Sequence, residues 1–336
     1  MVSIIVPVYK TPIEAFDRLL ASLRSQSYSD IEIVIVDDGN EDAYASKLDK
    51  RACFDRRIRV LHQGNGGVSR ARNLGFAAST GEFVMFADAD DEIMPKCIEE
   101  ALTLLERHDL DIVYGRYLKK AVERQEVKTE PVGSDVRVLE GKELAAVSQC
   151  FFSHEHPRNC NAPHAVSCGP CGRLFRRAIV EFCPFDERMD MCEDAVFNAE
   201  VVMRAKRIGF VDNVWYVYYQ NSYSIYHNLA FDDRFDNHKV LAEKHALKLP
   251  HMENALYAQV IHRFLCTTRI LVRRKGMGAL LEVHKALRHS ECRSCFKNID
   301  LDDFDLSLAR VALYVAGRYG LALLLCLAYR FKGDDI

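Results

Sequence analysis

Phe83-Val84-Met85-Phe86-Ala87-Asp88-Ala89-Asp90-Asp91-Glu92 passes within ten residues from an apolar run to four carboxylates. The run, taken from Glu82 to Ala87, predicts a short buried strand. Four like charges crowded at its tip repel one another, and a hard divalent cation with oxygen ligands removes that repulsion. Acids two residues apart, such as Asp88 and Asp90, can share one metal-diphosphate complex. The plain alternative is a solvated acidic turn ahead of the helix that follows Pro95.

The same pattern of an apolar strand breaking into a polar loop recurs on both sides. Residues 2 to 8 are β-branched and apolar, and Thr11-Pro12-Ile13-Glu14 then reads as a helix start, with Thr11 as cap and Pro12 at the first helical position. Ile31 to Val36 breaks at Asp37-Asp38-Gly39, and Ile58 to Leu61 breaks at Gly64-Asn65-Gly66-Gly67. A helix from Val68 to Ser79 and a strand from Asp111 to Tyr114 extend the alternation. Strands alternating with helices predict an α/β fold, a mostly parallel sheet with helices on both faces. In such sheets ligands bind at the carboxyl ends of the strands. Asp37-Asp38 and Asp88-Asp90 therefore meet at one sheet edge, one pair to bind a metal and the other to hydrogen-bond a ribose or base. The glycine loop with Ser69, Arg70, Arg72 and Asn73 offers backbone amides, a helix N-terminus and guanidinium groups to an anionic ligand. It lacks the lysine pattern of a Walker phosphate loop.

Further along, residues 121 to 140 read as a polar excursion and 150 to 172 as irregular. Glu193-Asp194 stands ahead of an apolar helix, where both acids favour the helix dipole. From Phe231 onward the chain reads as helical, with excess base between Arg263 and Lys297. The apolar terminal segment Leu306 to Phe331 carries Arg310, Arg318 and Arg330, and its longest uncharged run is too short to cross a bilayer of about 30 Å. It reads as a helix lying on an anionic membrane surface, or as one packed on the protein body or on a second subunit.

A net charge of -3 over 336 residues supplies no general attraction for nucleic acid, so no nucleic-acid partner is expected. The N-terminus shows no secretory leader, which predicts a cytoplasmic protein that could be peripheral on the inner face of the membrane. Twelve cysteines then read as reduced thiols. Cys168/Cys171 and Cys292/Cys295 have zinc-compatible spacing, with His154, His156, Cys160 and His164 near the first pair, but the overall spacing matches no zinc motif.

In combination, Ser3-Ile4-Ile5-Val6-Pro7-Val8-Tyr9, Ile35-Val36-Asp37-Asp38-Gly39, Asn65 through Gly75 and Phe86-Ala87-Asp88-Ala89-Asp90-Asp91 resemble family 2 glycosyltransferases, in order and in spacing. The resemblance implies the Rossmann-like GT-A fold over residues 1–228, with a nucleotide-binding half (1–115) and an acceptor half (116–228), followed by a helical region over 229–336. It implies that Pro7 and Tyr9 line the base pocket, Asp38 contacts the base, and Asn65 and Arg72 help hold the nucleotide. Asp90 would ligate Mn2+ or Mg2+, and Asp88 would reach the ribose or the metal. Asn40 stands where the family more often has serine. Cys192-Glu193-Asp194 resembles the acceptor-site motif, with Asp194 as base and Glu193 in reserve. Arg173 occupies a position usually held by lysine; it is read as assisting the leaving diphosphate or as part of a basic surface helix. Trp215 to Tyr219 resembles the aromatic strand that closes the domain.

The implied activity is inverting transfer from a nucleotide sugar, with UDP-sugars favoured, to a hydroxyl of a glycan or lipid-linked acceptor in surface polysaccharide synthesis. The alternatives are a nucleotidyltransferase, which would carry a glycine-rich basic loop that Pro7-Val8-Tyr9-Lys10-Thr11 does not form, and an inactive nucleotide-sugar-binding module.

Overall fold

The computed structural model describes residues 1–121, 135–152, 169–189, 192–220, 253–303 and 306–331. The elements up to residue 220 are, in chain order, β1 (Val2–Val8), α1 (Ile13–Arg24), β2 (Ile31–Asp38), α2 (Asp42–Ala52), β3 (Ile58–Gln63), α3 (Val68–Ala78), β4 (Phe83–Phe86), β5 (Glu92–Ile93), α4 (Cys97–His108), β6 (Ile112–Ala121), β7 (Arg137–Glu140), α5 (Lys142–Cys150), β8 (Arg173–Arg176), α6 (Arg177–Val180), α7 (Glu193–Arg204) and β9 (Arg207–Gln220). The chain forms two compact units, Met1–Ser148 with Ala162–Asn221, and Gln149–Asn161 with Ser222–Ile336.

In the first unit a sheet runs in the order β3-β2-β1-β4-β8-β6-β9-β5, with β7 paired to β9. The block β3-β2-β1-β4 is wholly parallel, so the carboxyl ends of these four strands share one edge. Beyond β4 the sheet is mixed: β8 is antiparallel to both of its neighbours, β6 and β9 are parallel, and β5 and β7 lie antiparallel to β9. β1 and β2 are buried at nearly every position, the signature of strands covered on both faces. α1 buries Phe16, Leu19, Leu20 and Leu23 on one face. Pro12 caps this helix rather than opening it, its carbonyl accepting from the amides of Ala15 and Phe16, and no Thr11 side-chain cap forms. The polar excursion expected over 121–140 contains β7, whose one buried side chain, Leu139, is too little apolar pattern to announce a strand.

Beneath the strand tips, Phe86, Phe175, Phe185 and Phe197 pack edge-to-face and stacked, with Phe185 and Phe197 centroids 4.1 Å apart. Of the aromatics of β9, Phe210, Trp215, Tyr216 and Tyr219 are buried, Trp215 and Tyr216 each 1% exposed, and Tyr218 is half-buried. Trp215 donates from Nε1 to Glu100 at 2.8 Å and lies across Gly115, where the β6–β9 register shifts. A Cβ at Gly115 would sit 2.4 Å from the indole ring.

The second unit contains helices Glu253–Lys275, Leu280–Arg288, Ser290–Asn298, Leu308–Arg318 and Ala322–Phe331. They share a core that includes Phe264, Phe296, Tyr314 and Leu325. The terminal apolar segment is two helices, not one, broken at Gly320 with a φ of 71°. Arg318 turns away from any outer stripe and donates to the carbonyls of Phe296 and Ile299, closing the end of helix Ser290–Asn298. Among the described residues no helix is long and apolar enough to cross a membrane. Cys292 and Cys295 are buried thiols in the apolar core of the second unit, and Cys171 is a buried thiol of the first. Among the described residues no three His, Cys, Asp or Glu side chains gather as metal ligands; His154, His156, Cys160, His164 and Cys168 lie outside the described residues.

Gly115→Ala is expected to destabilise the first unit by roughly 1–3 kcal/mol through overpacking against Trp215. Urea denaturation of the variant beside the parent chain measures this, and an unchanged midpoint would refute the close approach.

Candidate active site

Two loops meet at the tip of β2. Gly39 has a φ of 78°, and a Cβ there would lie 2.4 Å from the Asn65 backbone nitrogen, so glycine is what lets the β2 loop touch the loop ahead of α3. The Asp38 carboxylate accepts from the amides of Gly66 (2.8 Å) and Gly67 (2.9 Å) and from Gln63 Nε2 (2.7 Å). The Asn65 side chain donates to the Asp38 carbonyl. The glycine amides read from the sequence as an anion cradle therefore hold an internal carboxylate instead, and Asp38 shapes the loop.

Asp37 is buried too, accepting from both nitrogens of Asn40 and lying 2.8 Å from His62 Nδ1, a contact that raises the His62 pKa. Asn40 also donates to the Val8 carbonyl and accepts from the Lys10 amide, tying the tip of β1 to the tip of β2. That tie presents Tyr9, 44% exposed, beside half-buried Pro7. The substitution of asparagine for the commoner serine thus does structural work of its own. His62 and Gln63 carried no sequence signal beyond their place at the end of an apolar run.

The second cluster lies at the tip of β4. Arg72, on α3, is 5% exposed and reaches with Nη2 to Asp88 Oδ1 (3.0 Å) and with Nη1 to Glu193 Oε1 (3.3 Å). Its guanidinium lies 5.1 Å from the Phe185 ring, and Asn73, one residue on, holds the Phe185 backbone with hydrogen bonds in both directions. Burial alone favours loss of the Arg72 proton, but the charges of Asp88 and Glu193 outweigh it and hold the pKa above its usual value.

The four acids at this tip have unlike fates. The Asp88 amide donates to the Tyr216 hydroxyl, while its side chain stays 36% exposed. Asp90 is half-buried. Asp91 is fully buried, accepts from the Tyr219 amide at 2.9 Å and leaves Oδ2 without a hydrogen bond. Burial, then the charge of Asp88, pushes its pKa to about 8, so Asp91 keeps its proton at neutral pH and the repulsion inferred from sequence is partly relieved without any metal. Glu92 accepts from the Tyr219 hydroxyl. Asp88 and Asp90 remain as hard oxygen donors. That set does not cage an ion alone, but it fits Mg2+ or Mn2+ held jointly with a diphosphate, since such ions are commonly bound by one or two carboxylates plus substrate phosphates.

Glu193 and Asp194 open α7 behind Cys192, which adopts a left-handed φ of 63°. Burial raises the Glu193 pKa and Arg72 opposes the rise. Asp194 accepts the Ala195 amide at 2.7 Å, and burial followed by the charge of Glu193 raises its pKa to about 7. Arg173 does not join the cluster. It lies on β8 rather than on a surface helix, wholly buried, bonded to Asn198 Oδ1 at 2.9 Å and positioned 4.6 Å from the Tyr114 ring centroid. The structure thus joins Arg72, Asp88 and the Glu193-Asp194 pair through one guanidinium, and joins Pro7, Tyr9, Asp38 and Asn65 through loop hydrogen bonds; α3 begins at the second group and carries Arg72 of the first.

The family model for Glycosyl transferase family 2 matches residues 3–182. The chain is 33% identical over 228 residues to a protein of Bacillus subtilis (strain 168) named uncharacterized glycosyltransferase EpsJ, covering 67% of this chain and 62% of that one. It is 24% identical over 223 residues to the poly(ribitol-phosphate) beta-N-acetylglucosaminyltransferase TarS of Staphylococcus aureus (strain Mu50), covering 64% of this chain and 35% of TarS. The chain thus spans less than two thirds of the length of these curated relatives. The crystal structure of S. aureus TarS 1–349 in complex with UDP-GlcNAc superimposes with a TM-score of 0.66 at 20% identity, covering 100% of this chain and 94% of that one, so the two share the GT-A fold.

Arg72→Met leaves Asp88 and Glu193 facing each other without a cation, and loss of one partner from such a buried pair costs roughly 3–5 kcal/mol. Urea denaturation should show this loss at pH 7 and a smaller one as pH falls, because a protonated Glu193 no longer needs the guanidinium. A loss that does not change with pH would contradict the ion pair.

Proposed function

The chain belongs to glycosyltransferase family 2, and from that premise we propose that it transfers a sugar, with inversion, from a UDP-sugar to a hydroxyl of a glycan or lipid-linked acceptor in surface polysaccharide synthesis. The observation that carries this reading is the Arg72 bridge. One guanidinium ties Asp88, on the strand tip that would face the donor diphosphate, to Glu193, at the helix start that would face the acceptor. Glu193 is thereby neutralised. Asp194 beside it accepts a backbone amide and no guanidinium among the described residues, and it titrates near neutrality, which suits a general base.

In this mechanism Pro7 and Tyr9 line the base pocket, and the Asp38-ordered loop of Asn65, Gly66 and Gly67 forms its other wall. Asp88 and Asp90 would hold Mg2+ or Mn2+, which would supply positive charge to the leaving diphosphate. Asp194 removes the proton from the acceptor hydroxyl as its oxygen attacks the anomeric carbon from the face opposite the diphosphate. A single displacement inverts that carbon, so an α-linked UDP-sugar yields a β product. TarS, by name a beta-N-acetylglucosaminyltransferase and crystallised with UDP-GlcNAc, makes UDP-GlcNAc the first donor to test. A usable base beside the nucleotide cleft argues against an inactive binding module.

A panel of UDP-sugars with Mn2+, scored for released UDP, tests the activity. Asp194→Asn should lower kcat by about 100-fold or more while UDP affinity by calorimetry is retained. In the parent chain kcat should rise with pH through about 7 and level off above it, because the base acts only when deprotonated. Full transfer by Asp194→Asn would remove the assigned role.

A further inference from the structure

The turn that carries Asp88 and Asp90 is fastened by three polar residues on and just after α1 that no motif announces. Arg18 and Ser22 are spaced four residues apart on α1, outside its apolar face of Phe16, Leu19, Leu20 and Leu23, and Gln26 follows just past the end of the helix. All three reach the backbone of the segment from Asp90 to Met94. Arg18 Nη2 donates to the Asp90 carbonyl at 2.5 Å. Ser22 Oγ accepts from the Ile93 amide at 3.2 Å. Gln26 Nε2 donates to the carbonyls of Ile93 (3.3 Å) and Met94 (2.9 Å).

Arg18 differs from the other two in what it faces. Its guanidinium lies 3.8 Å from the Tyr219 ring centroid and its Nε lies 3.9 Å from Glu92 Oε1, too far for a hydrogen bond, so that this buried N–H has no hydrogen-bond acceptor. Tyr219 in turn holds Asp91 through its amide and Glu92 through its hydroxyl. The acidic turn is thus gripped from β9 by Tyr216 and Tyr219 and from α1 by Arg18, and Asp90 is the acid whose own peptide carbonyl Arg18 fixes.

We propose that Arg18 is a positioning residue for the proposed donor site: with its guanidinium resting on the Tyr219 ring, it holds the Asp90 carbonyl and so sets the direction in which the Asp90 carboxylate presents itself to a divalent cation and a nucleoside diphosphate. A hydrogen bond to a peptide carbonyl fixes the peptide plane and with it the Cα–Cβ vector of the residue that carries it. The positive charge also lowers the cost of gathering Asp88, Asp90 and Glu92 when the cation is absent. Ser22 and Gln26, which grip only the strand beyond the turn, serve the fold. The inference rests on the reading of Asp90 as a metal-binding carboxylate.

The test is Mn2+ binding, read from loss of the free-ion electron paramagnetic resonance signal, with and without UDP, alongside thermal melting. In the parent chain UDP should tighten Mn2+ binding. Arg18→Met should weaken Mn2+ binding in the presence of UDP by roughly ten- to hundredfold, the range for partners that orient metal ligands. Arg18→Lys, which restores charge without the planar fork, should fall between. Ser22→Ala should lower the melting temperature yet leave Mn2+ affinity within about twofold. If UDP does not tighten Mn2+ binding in the parent chain, the reading of the metal site fails and this inference with it. If it does and Arg18→Met binds Mn2+ as the parent chain does, only the role of Arg18 is overturned. Should Arg18→Met not fold, Arg18→Gln takes its place under the same criteria.

Discussion

A buried guanidinium with carboxylates on two sides is the constraint around which this site is arranged. Arg72 sits almost out of solvent, where an unpaired cation would be prohibitive, and the carboxylates of Asp88 and Glu193 offset that burial. The residues bridged are 16 and 121 positions away in sequence, one at a strand tip and one at a helix start. Fixing them together places Asp194 and sets its electrostatic surroundings. The phenylalanine cluster beneath, with Phe185 under the guanidinium, supplies the dry floor that makes the pairing strong.

The legible part of the fold was the part in which burial on both strand faces leaves continuous apolar runs. β1, β2 and β4 are such strands, each announced by β-branched or aromatic residues and each running on into polar residues. β7 and β8 were not legible: one shows a single buried side chain, and the other begins with Arg173, a charge that looks superficial until Asn198 and Tyr114 enclose it. Period and composition cannot report a partner 25 residues away. The same blindness affected the terminal segment, whose arginines suggested an outward stripe while Arg318 in fact satisfies helix-end carbonyls.

For the site, residue identity was readable and residue duty less so. Asp38, Asn65, Arg72, Asp88, Asp90, Glu193 and Asp194 were all visible as unusual polar residues at strand or helix ends. What sequence does not encode locally is which carboxylate faces inward. Asp38 serves two glycine amides, Asp91 keeps a proton, Glu92 receives a tyrosine hydroxyl, and Asp88 pairs with Arg72 while staying partly exposed. These distinctions arise from contacts with β9 and the glycine loop, both distant along the chain.

The indole that lies over Gly115 has one more consequence. Trp215 is the sole tryptophan of the chain, its own carbonyl accepts from Met94 just past the acidic turn, and the next residue along β9 is the tyrosine that holds the Asp88 amide. Tryptophan emission from the whole protein therefore comes from a chromophore one residue away from the tyrosine at the proposed catalytic edge, an optical gauge already built into that strand.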